Sequence, residues 1–513
     1  MQDSSSQGFG KLRSFFWPVY QHENKKVIPI LLIGFLISFN YSILRIVKDT
    51  LVVTARESGA ETIPFIKVWV LLPMAVFMTY LFTKLSNRFR REQVFYAMTS
   101  LFLVYFSIFV YFIYPIRESL HPHESADFLQ SLLPYGCKGF VAVFRNWSLT
   151  SYYVMAELWG TIILSLLFWG FANQVTSLQE AGRFYALIGI SLNFAGIFAG
   201  QLSVVFSRHQ FNPNLPFGTD AWEQSLIFLI STVNICGLLI MYLFRKVHKT
   251  IVKEEKKSEN PNTKIKMSIQ ETLSYLSKSR YLLSIALIVF SYNLVINLVE
   301  VVWKGELKQL FPNPSDYNAH MSQVSTAMGI IATFISFFIS GPSIRRYGWT
   351  MTASITPFIL FVASLGFFGF LLLKTYALEA TLDFLQTSPL LIVCLFGSAH
   401  NAFCRGAKYS LFDSTKEMAF IPLSLECKLK GKAGIDGICS RLGKSGGSFI
   451  HQSLLLLFGT LSNSAPYVAV IVFAAIALWL YCIRQLGQQV QLFIRKEDFS
   501  TTSNVKKPLS EKL

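Results

Sequence analysis

FNYSILRIVKD at residues 39 to 49 and FSYNLVINLVE at residues 290 to 300 align without a gap at an offset of 251 (290 − 39). Phe39 matches Phe290, Tyr41 matches Tyr292, and Asp49 matches Glu300. Tyr41, Arg45 and Lys48 follow i, i+4, i+7 spacing, as do Asn293, Asn297 and Glu300, so each set lies along one face of a helix. The two stripes differ in charge, the first cationic and the second acidic. A short aromatic-rich match can arise by chance, so a repeat needs support from the rest of the chain.

Composition gives the first support. Of 513 residues, 52% are hydrophobic, 15% aromatic with 47 Phe, and only 15% charged, against roughly 25% charged in an average globular chain. A soluble protein is excluded on that basis, and a membrane protein is expected. Crossing a bilayer takes about 20 mostly apolar residues, and the backbone must satisfy its own hydrogen bonds there, as helices or a closed barrel. The apolar runs here are helix-length: 27 to 47, 65 to 83, 95 to 114, 149 to 172, 184 to 206 and 225 to 244, then 281 to 303, 323 to 341, 350 to 373, 387 to 410, 433 to 459 and 465 to 486. Between the sixth and seventh, Arg245 to Arg280 contains RKVHK, KEEKK and SENPNTK and reads as a solvated basic linker. The expected organisation is an N-terminal tail (1–26), a six-helix half (27–244), the linker (245–280), a second six-helix half (281–486) and a C-terminal tail (487–513). With the repeat, this predicts an all-α integral membrane protein of twelve transmembrane helices, its two parallel halves enclosing a central site as in the major facilitator superfamily.

The 46 Lys+Arg exceed the 29 Asp+Glu, a formal +17. In such an apolar chain those cations belong on the cytosolic face rather than on a nucleic acid, and none is expected as a partner. Lys11, Arg13, Lys25 and Lys26, then Lys84, Arg88, Arg90 and Arg91, then Arg345 and Arg346, and finally Arg484, Arg495 and Lys496 fall on one side. Both termini and the linker are therefore expected in the cytosol, with 115 to 148, 207 to 224 and 304 to 322 facing out. The opening MQDSSSQGFGKLRSFFWPVYQHENKK lacks a signal peptide's apolar core and reads as a mature cytosolic tail. Seven cysteines without a CxxC pair imply neither a disulfide framework nor a zinc site, and His121, His123 and Glu124 read as a solvated loop rather than metal ligands.

Ionisable groups inside a span are costly, about 2.5–3.5 kcal/mol each on insertion scales, so each needs a partner or a wet cavity. In the first span Asp49 lies one turn from Arg45, and the set either lines a cavity or snorkels from a helix end. In the fourth, Glu157 has no base on its own helix and must look across the bundle. Glu300 in the seventh either lines the cavity or forms a bridge to Lys48 that only joins the halves. His400, Asn401, Arg405 and Lys408 mark the tenth as cavity lining or as its cytosolic end. GKAGIDGICSRLGKSGGSFIHQ fills the eleventh. Its GKS is no Walker A loop, since five residues rather than four separate Gly437 from Gly443 and no strand precedes it. Arg441 and Lys444 at i, i+3 share a face among small residues, with Ser445 or Ser448 able to add a hydrogen bond, so an anion can approach. The competing reading is a glycine-rich packing seam. No catalytic constellation stands at recognisable spacing. Cations from both halves with abundant aromatics suit a polyanion that carries a flat ring.

ILRIVKDTLVVTA (43–55), GAETIPFIKVWVLLP (59–73), AELWG (156–160), FWGFANQVTSLQEAGRFYALIG (168–189) and GKAGIDGICSRLGKSGGS (431–448) resemble the nucleotide transporter family of plastids and obligate intracellular bacteria, the ATP/ADP translocases. The resemblance spans both halves. It implies twelve helices, no enzymatic step, no cofactor or metal, and exchange of ATP for ADP or another ribonucleotide across a bacterial inner membrane by a functional monomer among lipids. Proton-coupled nucleotide symport, with protons or phosphate as co-substrate, is the alternative within the family. An integral-membrane enzyme acting on a phosphate-containing substrate, or a lipid scramblase, are alternatives outside it. The family's four intramembrane charges fall on Lys48, Glu157, Glu300 and Lys444. With Arg441, Asn297, Tyr41 and Arg45 these make the expected site for nucleoside di- and triphosphates.

Overall fold

The computed structural model describes residues 17–176, 178–207, 210–251, 279–376, 388–420 and 434–505, together with Arg13, Leu423 and Gly431. Among them every regular element is helical. The long helices are α1 (Gln21–Val53), α2 (Thr62–Arg88), α3 (Arg91–Ile113), α4 (Trp147–Val175), α5 (Arg183–Phe206), α6 (Ala221–His248), α7 (Arg280–Leu310), α8 (Pro314–Ile344), α9 (Arg346–Lys374), α10 (Pro389–Ala419), α11, which joins a π-helical turn (Ile435–Cys439) to an α-helix (Ser440–Phe458), and α12 (Leu461–Gln489). Eleven are long and apolar enough to cross a membrane. The other, α11, is diluted by Asp436, Arg441, Lys444, His451 and Gln452, the polar cluster that marked it in the sequence.

Several elements extend past their expected limits. The first helix runs to Val53 instead of 47, which draws Lys48 and Asp49 into the bundle at 3% and 2% exposure and removes the snorkelling reading. The seventh runs to Leu310 instead of 303 and takes in the buried Lys304. The helix containing α6 continues to Ile251, inside the expected linker, and that containing α12 continues to Val505, inside the expected tail. Residues 252–278 and 506–513 lie outside the described residues. The loop expected at 115 to 148 folds as three short helices, Arg117–Leu120, His123–Leu132 and Lys138–Arg145. Arg145 Nη2 donates to the exposed Asp127 at 2.5 Å, and the buried His121 Nε2 meets Ser148 Oγ at 2.7 Å, so polar contacts tie this segment together. The Arg145 guanidinium holds the Asp127 carboxyl below the usual carboxylate range.

Alternation of the helices puts the start of α1, the end of α6, the start of α7 and the end of α12 at one end, called here the linker end. Contacts agree: Arg183 Nη2 of α5 meets Glu23 Oε1 at 2.7 Å there, and Tyr281 of α7 donates to Ala419 O of α10 at 2.6 Å. At the distal end Lys374 of α9 meets Glu306 of α7 at 2.7 Å.

Lipid gives helices little hydrophobic reason to associate, so close approach and hydrogen bonds hold the bundle. A Cβ on Gly443 would lie 2.7 Å from Phe290 O, and one on Gly447 2.8 Å from Asn297 Nδ2, so α11 packs backbone-close on α7. The packing-seam reading of α11 is therefore true of one of its faces. Between the halves, α5 and α8 join through Ser203, Ser207, Asn318 and Ser322: Asn318 Nδ2 donates to Ser203 Oγ at 3.0 Å and to Ser207 Oγ at 2.8 Å, and Ser322 Oγ donates to Ser203 Oγ at 2.8 Å.

Candidate functional site

Six buried or half-buried charges form a file across the bundle with alternating sign. Glu157 Oε2 on α4 lies 3.4 Å from Lys48 Nζ on α1, and that ammonium lies 3.0 Å from Asp49 Oδ1. Asp49 Oδ2 is 2.7 Å from Lys304 Nζ on α7, which is 2.8 Å from Glu300 Oε1. Glu300 Oε2 is 2.7 Å from Arg405 Nη2 on α10. Three carboxylates and three cations cancel. The file crosses from one half to the other at Asp49–Lys304, and its repeat-related carboxylates, Asp49 and Glu300, grip the same ammonium.

Two pairings open from the sequence are not the ones made here. Asp49 does not pair with Arg45, because Lys304 and Lys48 lie closer, and the Arg45 guanidinium instead faces Met328 Sδ of α8 at 3.9 Å. Glu300 does not bridge directly to Lys48, because Lys304, one turn along its own helix, intervenes. Asn297 has its amide fully engaged: it accepts from Lys67 Nζ of α2 at 2.5 Å and donates to Lys444 O at 2.8 Å and Ser448 Oγ at 3.0 Å. Ser448 is thus turned into the α7–α11 packing and away from any open face.

The other expected residues lie toward the linker end of this file. Tyr41 is half-buried, its ring packed against Gly160, where a Cβ would fall 2.6 Å from the ring's Cε2. Arg45 is half-buried, while Lys444 and Arg441 are exposed. Neither the Lys444 ammonium nor the Arg441 guanidinium pairs with a carboxylate among the described residues. Lys444 nonetheless lies within the fields of Glu157 from the other half and of Lys408 and Arg405 on α10, so it faces the interior between the halves. Glu157, with 26% of its side chain exposed, feels both Lys48 and Lys444 and joins the two environments.

Polar side-chain contacts between described residues of the two halves gather on the distal side. Besides Asp49–Lys304 and Lys67–Asn297, Thr50 Oγ1 donates to Asn318 Oδ1 at 3.2 Å, Gln452 Nε2 to Pro64 O at 2.9 Å, Trp69 Nε1 to Gln452 Oε1 at 3.1 Å, and Lys308 to Ser58 O. These contacts tie the two halves together on the distal side. Lys444 and Arg441 lie exposed on their linker side.

The TLC ATP/ADP transporter family's sequence model matches residues 2–490. The chain belongs to that family. Among curated relatives of this TLC transporter, ADP,ATP carrier protein 1 of Chlamydia trachomatis is 44% identical over 494 residues, covering 95% of this chain and 93% of the relative. ADP,ATP carrier protein 2, chloroplastic, of Arabidopsis thaliana is 42% identical over 489 residues, covering 94% and 78%. Among solved structures, a bacterial homologue of the iron transporter ferroportin in an inward-facing state superposes with a TM-score of 0.56 at 15% identity, over 90% of this chain and 98% of that one. A D-xylose–proton symporter superposes at 0.51 with 14% identity, over 88% and 96%. At these identities the likeness concerns the fold alone, which is that of major-facilitator-like transporters.

Three members of the TLC chain's charge cluster were not singled out from the sequence as site residues. Lys304 fell one residue past the expected end of the seventh span, although it continues the Asn293, Asn297, Glu300 stripe at the next helical turn. Lys67 lies inside the motif GAETIPFIKVWVLLP, among apolar residues that hide its charge. Arg405 was read as cavity lining or helix end, whereas its bond to Glu300 and a 2.9 Å bond from its Nε to Asn401 Oδ1 place it in the file.

Proposed function

We propose that this protein exchanges ATP for ADP across a bacterial inner membrane by alternating access, with both termini and the linker in the cytosol and no chemical step. The reading rests on one observation above all: Lys444 and Arg441 stand exposed and without carboxylate partners among the described residues, Lys444 facing the space between two halves whose six-member file of charges cancels. A polyanion is the complement of that surplus. The names of the relatives, all ADP,ATP carriers or transporters, supply the nucleotide.

The phosphates bind Lys444 with help from Arg441 and Arg45, on the linker side of the file of charges. Lys48, now neutralised by Asp49 and Glu157, becomes available as the halves rock and the distal contacts part. Without a bound anion, closure of the linker side would desolvate several like charges together, which is costly. An empty carrier therefore reorients slowly, and transport is exchange. Glu157 and Glu300 already have cationic partners in this state, which supports exchange over proton symport.

The test uses purified protein in proteoliposomes, loaded with ADP or left empty, with labelled ATP outside. Uptake is expected only with internal ADP. Accumulation in empty vesicles driven by an imposed proton gradient would replace this reading with symport.

A further inference from the structure

Inside α10 the α-helix Pro389–Ala407 gives way to a π-helical turn, Lys408–Phe412, before helix resumes at Asp413–Ala419. A π turn inserts one extra residue and so changes which side chains a helix presents, commonly beside a functional site. Here Ser410, Leu411 and Phe412 are buried at 2%, 1% and 5%, while Tyr409, inside the span Pro389–Ala419, exposes 38% of its surface.

That exposure is toward the interior. The Tyr409 phenol lies in the fields of Arg45 from the other half and of Arg405 and Lys408, and in turn acts on Tyr41 and Lys444. A ring set among charges from α1, α10 and α11, with Asp413 paired to Lys408 at 3.2 Å beside it, does not face lipid. Lys408 Nζ sits 4.5 Å from its centroid.

The internal repeat sharpens the assignment. Tyr41 and Tyr292 are repeat mates, but Tyr292 is 2% exposed, stacked on Phe412 at 4.9 Å and edge-on to Trp479 at 5.9 Å. The second half has thus buried its repeat tyrosine as packing. The π turn that carries Phe412 presents Tyr409 in its stead, across the seam from Tyr41.

We propose that Tyr409 is the stacking platform for the base of the transported nucleotide, beside the Lys444 ammonium that takes its phosphates. This rests on the nucleotide-exchange reading and names a residue for its other half, the ring. Stacking on an aromatic face is tolerant of base identity, because every base has a π face. Tyr409 therefore contributes affinity for nucleosides as a class, and discrimination among bases comes from other groups.

The experiment separates ring from phosphate. In ADP-loaded proteoliposomes, KM for ATP and inhibition by inorganic tripolyphosphate are measured for the native protein and for Tyr409→Ala, Tyr409→Leu and Tyr409→Phe. Tyr409→Ala and Tyr409→Leu are expected to raise KM for ATP at least fivefold while tripolyphosphate inhibition stays within twofold. Tyr409→Phe, which keeps the ring, restores ATP affinity, and Lys444→Gln weakens both ligands together. If Tyr409→Ala fails to fold, as its melting curve in detergent will show, the leucine and phenylalanine variants carry the same comparison. An unchanged KM in Tyr409→Leu overturns the proposal, as does a parallel loss of ATP and tripolyphosphate. A native protein that neither takes up nor is inhibited by ATP overturns the exchange reading instead, and the two failures look different.

Discussion

Lys48 and Lys444 come from opposite halves and from motifs of the same family, yet their surroundings differ in kind. Lys48 is 3% exposed, lies within 3.4 Å of two carboxylates and sits 3.8 Å from the centroid of the Tyr153 ring. Lys444 is exposed and pairs with no carboxylate among the described residues. The distal seam uses its charges to hold the halves together, whereas Lys444 on the linker side has no such pairing among the described residues. A carrier needs both conditions at once, one on each side of its substrate, and must exchange them in every cycle. The contrast between the two lysines is what that requirement looks like in a single state.

The largest effect is expected where the file of charges crosses the halves. Removing one partner of a buried pair costs about 3–5 kcal/mol, because the other is left charged and desolvated. Lys304→Gln and Asp49→Asn should each lower the melting temperature in detergent and abolish ATP uptake. The double variant should melt above the sum of the single losses, since neither charge is then stranded. Strict additivity would mean that Asp49 and Lys304 do not act as one bridge.

Next come the two lysines themselves. Lys48→Gln and Lys444→Gln should both reduce ATP exchange more than tenfold, which is about 1.4 kcal/mol or more of lost interaction. Only Lys48→Gln should lower thermal stability, because only Lys48 neutralises buried carboxylates here. In Lys444→Gln the stabilisation that millimolar ATP confers on the native protein by mass action should disappear. Equal destabilisation by the two variants would erase the contrast. A smaller effect is expected at Gly447→Ala, where the new Cβ meets Asn297: overpacking of this kind costs about 1–3 kcal/mol, and the melting temperature should fall with KM little altered.

The fold was legible because membrane insertion writes itself into composition: runs of apolar residues, a basic interruption after the sixth and a faint repeat between Phe39 and Phe290. The four family charges were legible for the opposite reason, since an ion inside an apolar run has no cheap explanation. Less legible was which charges pair. Asp49 has Arg45 one turn away on its own helix and Lys304 255 positions along the chain (304 − 49), and no spacing rule reveals that the distant one wins. Lys304 itself was lost to a boundary, because hydropathy ends a span where a lysine begins, whereas backbone hydrogen bonding carries the helix on to Leu310. The turn at Lys408–Phe412 left no mark in the sequence, for a π insertion depends on tertiary contacts rather than on residue type.

Arg441 offers the finest division of the linker-side seam. It lies one turn closer to the linker end than Lys444 on the same helix and is likewise exposed and free of carboxylate partners among the described residues. A charge in that position meets the substrate while water and salt still separate them, so its effect is on encounter more than on the bound state. Screening at an ionic strength of about 0.15 M already limits such interactions to roughly 8 Å, and at about 1 M to roughly 3 Å. Arg441→Gln should therefore raise KM for ATP by only about two- to fivefold at low salt, as befits an exposed charge worth less than about 1 kcal/mol, and the difference should vanish as salt is raised. The loss in Lys444→Gln should persist at every ionic strength, because a phosphate pressed against that ammonium excludes the ions that would screen it. If both variants respond to salt alike, Lys444 is a second steering charge at the mouth and the substrate is held deeper in the seam.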